Sequence, residues 1–167
     1  SIVDDVLNLT KIESGDIEIY EDPFNIEEEF IRIIRTQKGF AEEKAIQLIF
    51  DFDYQINFDL IGDYRKLNQV VTHLINNAIK YTEHGNVTLK VNLLETNKNK
   101  VVIKIDIKDT GIGVDQIQIN RLFDAFYQVD GTESRKQQGV GLGLPISNQL
   151  IQRLDGKLDI QSEPDQG

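Results

Sequence analysis

Cysteine is absent from the 167 residues, so neither a disulfide nor a thiolate metal site can form. That absence fits a cytoplasmic domain. Histidine occurs only twice, at His73 and His84, which excludes a histidine-rich metal centre. No apolar run approaches the roughly 20 residues of a membrane span, and none has the plan of a signal peptide. Methionine is missing and the first residue is Ser1. We therefore expect a piece of a longer protein, in which a membrane segment has room elsewhere. Positive charge is scarce: 18 Lys and Arg stand against 28 Asp and Glu, a formal charge of −10. A surface of that sign repels nucleic acid and anionic membrane, so neither is expected as a bulk partner. An anionic ligand would need local donors and a cation. Apolar residues still make up 40% of the chain, enough for one globular domain.

Hydrophobic periodicity is plentiful. Ile2, Val6 and Leu9 recur at i, i+4 and i+7 and predict a helix over 1–14, with Gly15 as its stop. Fourteen residues of helix are marginal alone, so we expect the end of a longer one. Residues 17–20 alternate as a short strand. Asn25 predicts a helix start, with Glu28 three residues on completing a capping-box-like pair; that helix runs to about residue 43. Ile46, Leu48, Phe50 and Phe52 alternate as a strand. Residues 64–81 predict a long helix that turns Leu67, Val70, Val71, Leu74 and Ala78 inward. Val87, Leu89, Val91 and Leu93 share one strand face, and Val101, Ile103, Ile105 and Ile107 repeat the pattern after a turn at Asn97-Lys98-Asn99. One apolar and one polar face predict an antiparallel sheet that is wet on one side. A short helix over 115–123, a mobile polar loop over 129–138, a helix over 144–154 with Pro145 in its first turn, and a strand starting at Leu158 and Ile160 complete the pattern. The prediction is an α+β fold: a two-layer α/β sandwich whose helices cover one face of the sheet.

Two glycine clusters carry the strongest chemical signal. Asp109-Thr110-Gly111-Ile112-Gly113 ends a strand, and Gly139-Val140-Gly141-Leu142-Gly143-Leu144 opens a helix. Glycine lets a backbone come close to a ligand, and a helix start attracts phosphate. An acid at one cluster and free amides at the other suggest a purine nucleotide held at both ends. Asp109 continues the core-facing series 101, 103, 105, 107, so its carboxylate needs a donor; an adenine amino group is one. The plainer alternative is that Asp109 only caps the turn at Thr110-Gly111, and that Gly111 and Gly113 are turn glycines. His73, Asn77 and Lys80 lie on one side of the long helix. Asn77 has the neutral oxygen that suits Mg²⁺, and Lys80 has the charge that suits phosphate. Lys66, Gln69, His73, Asn76 and Lys80 equally form an ordinary solvated face, and periodicity does not choose between the two. The second glycine run is not a Walker-type loop, since no Gly-Lys-Ser/Thr follows. Nor is it the dinucleotide fingerprint, given the antiparallel sheet.

These blocks, in this order, resemble the ATP-binding catalytic domain of sensor histidine kinases, a family that shares its Bergerat-type fold with gyrase-type and Hsp90-type ATPases. The stretch Val6-Leu7-Asn8-Leu9-Thr10-Lys11-Ile12-Glu13-Ser14-Gly15 resembles the end of the dimerisation helix. His73-Leu74-Ile75-Asn76-Asn77-Ala78-Ile79-Lys80-Tyr81-Thr82 resembles the asparagine box. The two glycine clusters resemble the glycine boxes, and Leu122-Phe123-Asp124-Ala125-Phe126-Tyr127-Gln128 the phenylalanine box. The resemblance implies a mixed, mainly antiparallel sheet. It implies that residues 1–15 close the phosphoacceptor helix and residues 16–167 form the catalytic domain, with a last strand beyond Gly167. It implies ATP and Mg²⁺ as cofactors: Mg²⁺ on Asn77, phosphates at Lys80 and Tyr81, and adenine at Asp109, Gly111 and Gly113. Backbone at Gly139, Gly141, Gly143 and Leu144 would lie near the phosphates. Residues 128–138 would form a lid, with Arg135 on the γ-phosphate. Asn77 and Lys80 are the residues implied in catalysis.

The implied function is transfer of the γ-phosphoryl of ATP to a histidine on the protein's own dimerisation domain, in a hybrid kinase that also meets a receiver domain. The full protein would be a homodimer, membrane-anchored with this domain in the cytoplasm, and the isolated chain a monomer. Three departures stand out. Position 73 is usually asparagine in these kinases and a general-base glutamate in the related ATPases, so histidine there speaks against simple hydrolysis. Gln138 and Val140 replace the usual glycine and threonine at the lid's end. The phosphoacceptor histidine is expected upstream of Ser1, since neither His73 nor His84 takes its place. The rival readings are an ATPase or serine kinase on the same fold, and a degenerate kinase domain that acts as a protein-binding module.

Overall fold

Asn25 and Asp63 start the two long helices in the same way. Asn25 accepts a hydrogen bond from the Glu28 N–H at 3.0 Å, and Asp63 accepts one from the Lys66 N–H at 3.1 Å. Each satisfies a backbone donor that a helix start leaves without a partner. Helix α1 spans Ile26–Glu43 and buries Ile26, Phe30, Ile33, Gln37 and Ala41 along one stripe. Helix α2 spans Tyr64–Tyr81 and buries Val70, Val71, Ile75, Ala78 and Ile79. The inward side expected for this helix is present, with Leu67 and Leu74 half-buried at its margins. The computed structural model describes residues 10, 17–128 and 141–167. The helix expected over 1–14 therefore lies outside the described residues except for Thr10, as do the loop expected over 129–138, with Arg135 and Gln138, and the next two residues, Gly139 and Val140.

The helices cover a mixed three-stranded sheet of β2 (Gln47–Phe52), β4 (Asn86–Thr96) and β5 (Val101–Asp109), in the order β2-β4-β5. Strands β2 and β4 run parallel from Gln47↔Asn86 to Phe52↔Val91. Strands β4 and β5 run antiparallel from Val87↔Asp109 to Thr96↔Val101, with a shift at Leu93/Glu95. Alternation settles the faces as predicted. Val87, Leu89 and Val91 are fully enclosed, whereas Lys90 and Lys104 are exposed. The Asn97 side chain accepts from the N–H groups of Asn99 and Lys100 and closes the turn between them. A separate ribbon pairs β1 (Asp22–Phe24) with β3 (Leu60–Gly62). Two short helices follow β5: α3 (Gln116–Ile119) and α4 (Gly143–Arg153).

Three expectations shift. Residues 17–20 form no strand, because the Tyr20 N–H is taken by the Asp63 carboxylate at 3.1 Å rather than by a neighbouring strand; the pairing begins at Asp22. Helix α3 opens on a full capping box between Asp115 and Gln118 but ends at Ile119. Beyond it Arg121 and Leu122 donate three residues back, to Gln118 and Ile119, which tightens the chain into turns. Leu158 and Ile160 are half-buried without strand pairing among the described residues. Alternation assigns a residue its face; it does not supply a neighbour for its N–H groups.

The sequence gives no hint of what closes the far end of α2. Lys44, just past α1, extends its ammonium to the carbonyls of Ile79, Lys80 and Thr82, at 2.8, 2.8 and 2.7 Å. The last turn of a helix has carbonyls without intrahelical donors and a partial negative charge, and a cation answers both. Lys44→Met is expected to destabilise the chain by about 2 kcal/mol, read as a lowered urea midpoint with an unchanged slope. Asp63 gives a pH-dependent counterpart at the other end. Burial alone would raise its carboxyl, but the Lys66 ammonium at 2.6 Å and the N–H groups of Tyr20 and Lys66 hold it below the ordinary carboxylate range. The folded state thus favours ionised Asp63, which adds stability above the unfolded pKa of about 3.9 and loses it as pH falls further. Asp63→Asn should cost about 1–2 kcal/mol at neutral pH. Urea melts near pH 3 should show that gap to wild type narrowed.

Candidate nucleotide site

The first glycine cluster is bound to the end of α2. Thr110 is stapled to the start of β4: its N–H donates to the Asn86 carbonyl at 3.2 Å, and its hydroxyl accepts from the Asn86 N–H at 3.1 Å. The Ile112 N–H then donates to the Tyr81 carbonyl at 3.3 Å. Asp109 stands opposite the enclosed Val87 and is half-buried, on the side of the sheet its alternation predicts. Its Oδ1 accepts from the Gly111 N–H at 2.9 Å. The turn-capping role is therefore real, and it occupies one carboxylate oxygen.

The far side of this loop is held by residues 162–167, a contact that strand periodicity does not anticipate. The Val114 N–H donates to Ser162 Oγ at 2.9 Å, and Ser162 Oγ donates to the Gly167 carbonyl at 2.9 Å. Asp165 N–H donates to the Ile112 carbonyl at 2.8 Å. Gly113 has φ +59, and a Cβ there would overlap the Glu163 carbonyl. Only glycine meets both demands without strain.

The described part of the second glycine cluster, residues 141–144, meets α2 one turn and more before its end, at His73. Leu142, Ile146 and Leu150 pack with Val70 in a small apolar cluster that docks α4 against α2. Leu142 offers no side-chain cap, so the N–H groups at the start of this 11-residue helix suit an anion. Leu144, in its first turn, is half-buried. The Gly141 carbonyl accepts from the Phe126 N–H at 3.0 Å, which joins the Leu122 to Gln128 block to this cluster. Gly143 faces His73: a Cβ would overlap ring atoms Cε1 and Nε2. His73 Nε2 in turn lies 2.8 Å from Asn77 Nδ2.

This arrangement divides the polar side of α2, which periodicity leaves ambiguous. Gln69 and Asn76 are exposed, as the solvated reading has it; His73 and Asn77 are half-buried where α4 begins. Lys80 carries its ammonium 4.9 Å from the centre of the Tyr81 ring. One stretch of helix, from His73 to Tyr81, therefore touches both glycine clusters. Among the described residues no three His, Cys, Asp or Glu side chains gather as a metal site. A cation here would need ligand oxygens beside Asn77.

Residues 62–167 match the family described as histidine kinase-, DNA gyrase B-, and HSP90-like ATPase. The signal transduction histidine-protein kinase BarA of Escherichia coli is 34% identical over 167 residues, which is 100% of this chain and 18% of that protein. Hybrid signal transduction histidine kinase B of Dictyostelium discoideum is 35% identical over 162 residues, 97% of this chain and 8% of that protein. The chain thus spans less than a fifth of the length of these relatives. Among solved structures, full-length ShkA in complex with AMPPNP superposes with a TM-score of 0.83 at 27% identity, covering 99% of this chain and 33% of that one. The Acinetobacter baumannii histidine kinase AdeS shares the fold, with a TM-score of 0.77 at 20% identity over 98% of this chain and 71% of that one. The motif order and the superposed fold agree with the matched profile: the chain belongs to the histidine kinase-, DNA gyrase B- and HSP90-like ATPase family.

Proposed function

We propose that the chain is the catalytic ATP-binding domain of a hybrid sensor histidine kinase, with residues 16–167 as that domain and residues 1–15 as the end of the dimerisation helix. The supporting observation is that α2 joins the two glycine clusters, so that one face of one helix serves both ends of a nucleotide. At the adenine end, Asp109 Oδ1 is used by the turn, and Oδ2 would accept from the adenine amino group beside Gly111 and Gly113. At the other end, Lys80 and Tyr81 would meet phosphate, with backbone at Gly139, Gly141, Gly143 and Leu144 close by and Arg135 on the γ-phosphate. Asn77 fits Mg²⁺: a neutral amide oxygen suits a cation that keeps most of its ligands as water and phosphate. Bound there, Mg²⁺ would neutralise charge on the phosphates.

The chain's own contribution is positioning and electrostatics, the usual means of phosphoryl transfer. The γ-phosphoryl would pass to a histidine nitrogen on the dimerisation domain of the full protein, leaving ADP. From there it would go to a receiver domain. The full protein would act as a homodimer. Among the described residues no helix is long and apolar enough to cross a membrane, and membrane anchoring belongs to the rest of that protein. His73 bears on the hydrolase alternative: its Nε2 is engaged by Asn77, which is not the setting of a base that activates water.

Calorimetric titration with MgATP tests the nucleotide site. Wild type should bind, and Asp109→Asn should bind at least about tenfold more weakly, a loss of about 1.4 kcal/mol. Asparagine keeps an acceptor for the Gly111 N–H, so the turn survives the change. No heat in the wild type would instead favour a protein-binding module, and equal affinity would remove Asp109 from the adenine site. With ATP labelled on the γ-phosphate, the chain alone should acquire no stable label. Label on the chain alone would contradict the assignment of the phosphoacceptor to another segment.

A further inference from the structure

The proposed reaction gives His73 no task, yet the chain holds its imidazole firmly. The ring is half-buried between α2 and the start of α4, and the missing Cβ of Gly143 is what admits it. Its Nε2 and the Asn77 amide tip stand 2.8 Å apart, one helical turn from each other. An amide nitrogen only donates, so in this arrangement Nε2 accepts and directs its lone pair at the amide tip. A metal-ligating imidazole nitrogen must present such a lone pair. Two cis ligands on a cation with bonds of about 2.1 Å lie about 3 Å apart, close to the spacing already present. A half-turn of the Asn77 terminal amide, a soft and roughly two-fold torsion, exchanges Nδ2 for Oδ1. Two acceptors then stand side by side.

We propose that His73 Nε2 is a second protein ligand of the nucleotide-bound cation, and that the site consequently prefers an imidazole-accepting first-row dication to Mg²⁺. The proposal rests on the assignment of Asn77 as the cation-holding residue. No third acidic or histidine ligand joins the pair among the described residues, so the remaining coordination comes from phosphate oxygens and water. Mg²⁺ is a hard cation that favours oxygen and loses water reluctantly. Imidazole binds first-row dications with an affinity that rises along the series from Mn²⁺ to Co²⁺. Oxygen ligands follow the same order less steeply, so the part of the cation preference that is lost with the His73 side chain reports on the nitrogen.

Pulsed electron paramagnetic resonance on the chain with Mn²⁺ and AMPPNP reads the contact directly. The expected result is nitrogen coupling to Mn²⁺ that changes when histidine is supplied as ¹⁵N-histidine, since the label leaves adenine nitrogens untouched. This measurement needs no variant, so a folding defect does not confuse it. In parallel, AMPPNP affinity with Co²⁺ relative to Mg²⁺ should fall by roughly tenfold in His73→Asn, and by less with Mn²⁺ relative to Mg²⁺. AMPPNP binding with Mn²⁺ but without histidine-sensitive coupling overturns this proposal alone and leaves the nucleotide site standing. Absence of AMPPNP binding with every cation overturns both.

Discussion

The carbonyl groups at the end of α2 are the constraint on which the rest of the molecule turns. A helix cannot satisfy its own last carbonyls. Here they are answered from two directions: Lys44 takes those of Ile79, Lys80 and Thr82, and the Ile112 N–H takes that of Tyr81. The first contact ties the end of α1 to the end of α2. The second brings the Asp109 to Gly113 loop against the same turn. Core packing and site geometry therefore meet within four residues, and the position of the loop is set by the same groups that terminate the helix.

This arrangement also explains how an acidic chain can serve an anion. A formal charge of −10 opposes any long-range attraction of a polyphosphate, so recognition has to be local. The structure supplies a helix start without a side-chain cap at Leu142, the Lys80 ammonium beside Tyr81, and the paired tips of His73 and Asn77. None is a strong anion site by itself. On the proposed reading, a nucleotide and its cation would engage them together along two adjoining helices, and that requirement for simultaneity would favour one class of ligand over free anions in general.

Much of the fold is legible in the sequence because its signals are local. The α2 limits, the Asn25 cap and the inward faces of β4 and β5 follow from spacing and capping chemistry that need no tertiary information. The misses are long-range. Nothing near Lys44 shows that its ammonium will cap a helix some 35 residues away. Nothing near Ser162 shows that residues 162–167 will fold over the Asp109 loop. Residues 17–20 alternate convincingly, yet the N–H that a strand would use goes to Asp63, an acid 43 residues distant. The exposed and half-buried parts of the polar side of α2 become distinct only once α4 is docked.

The glycines show why a motif and its physical cause need to be separated. Glycine permits close approach, and a ligand is the usual inference; here Gly113 and Gly143 are both required by the protein's own atoms, the Glu163 carbonyl and the His73 ring. The glycine pattern alone therefore does not argue for a nucleotide. What argues for one is the consequence of that crowding. Gly113 lets the chain close around Asp109, whose Oδ1 is spent on the turn and whose orientation is thereby fixed. Gly143 lets α4 come down onto the His73 ring, whose Nε2 meets the Asn77 amide. The same small residues that look like ligand contacts act first as packing devices, and the groups proposed to meet the ligand are the ones that this packing aims.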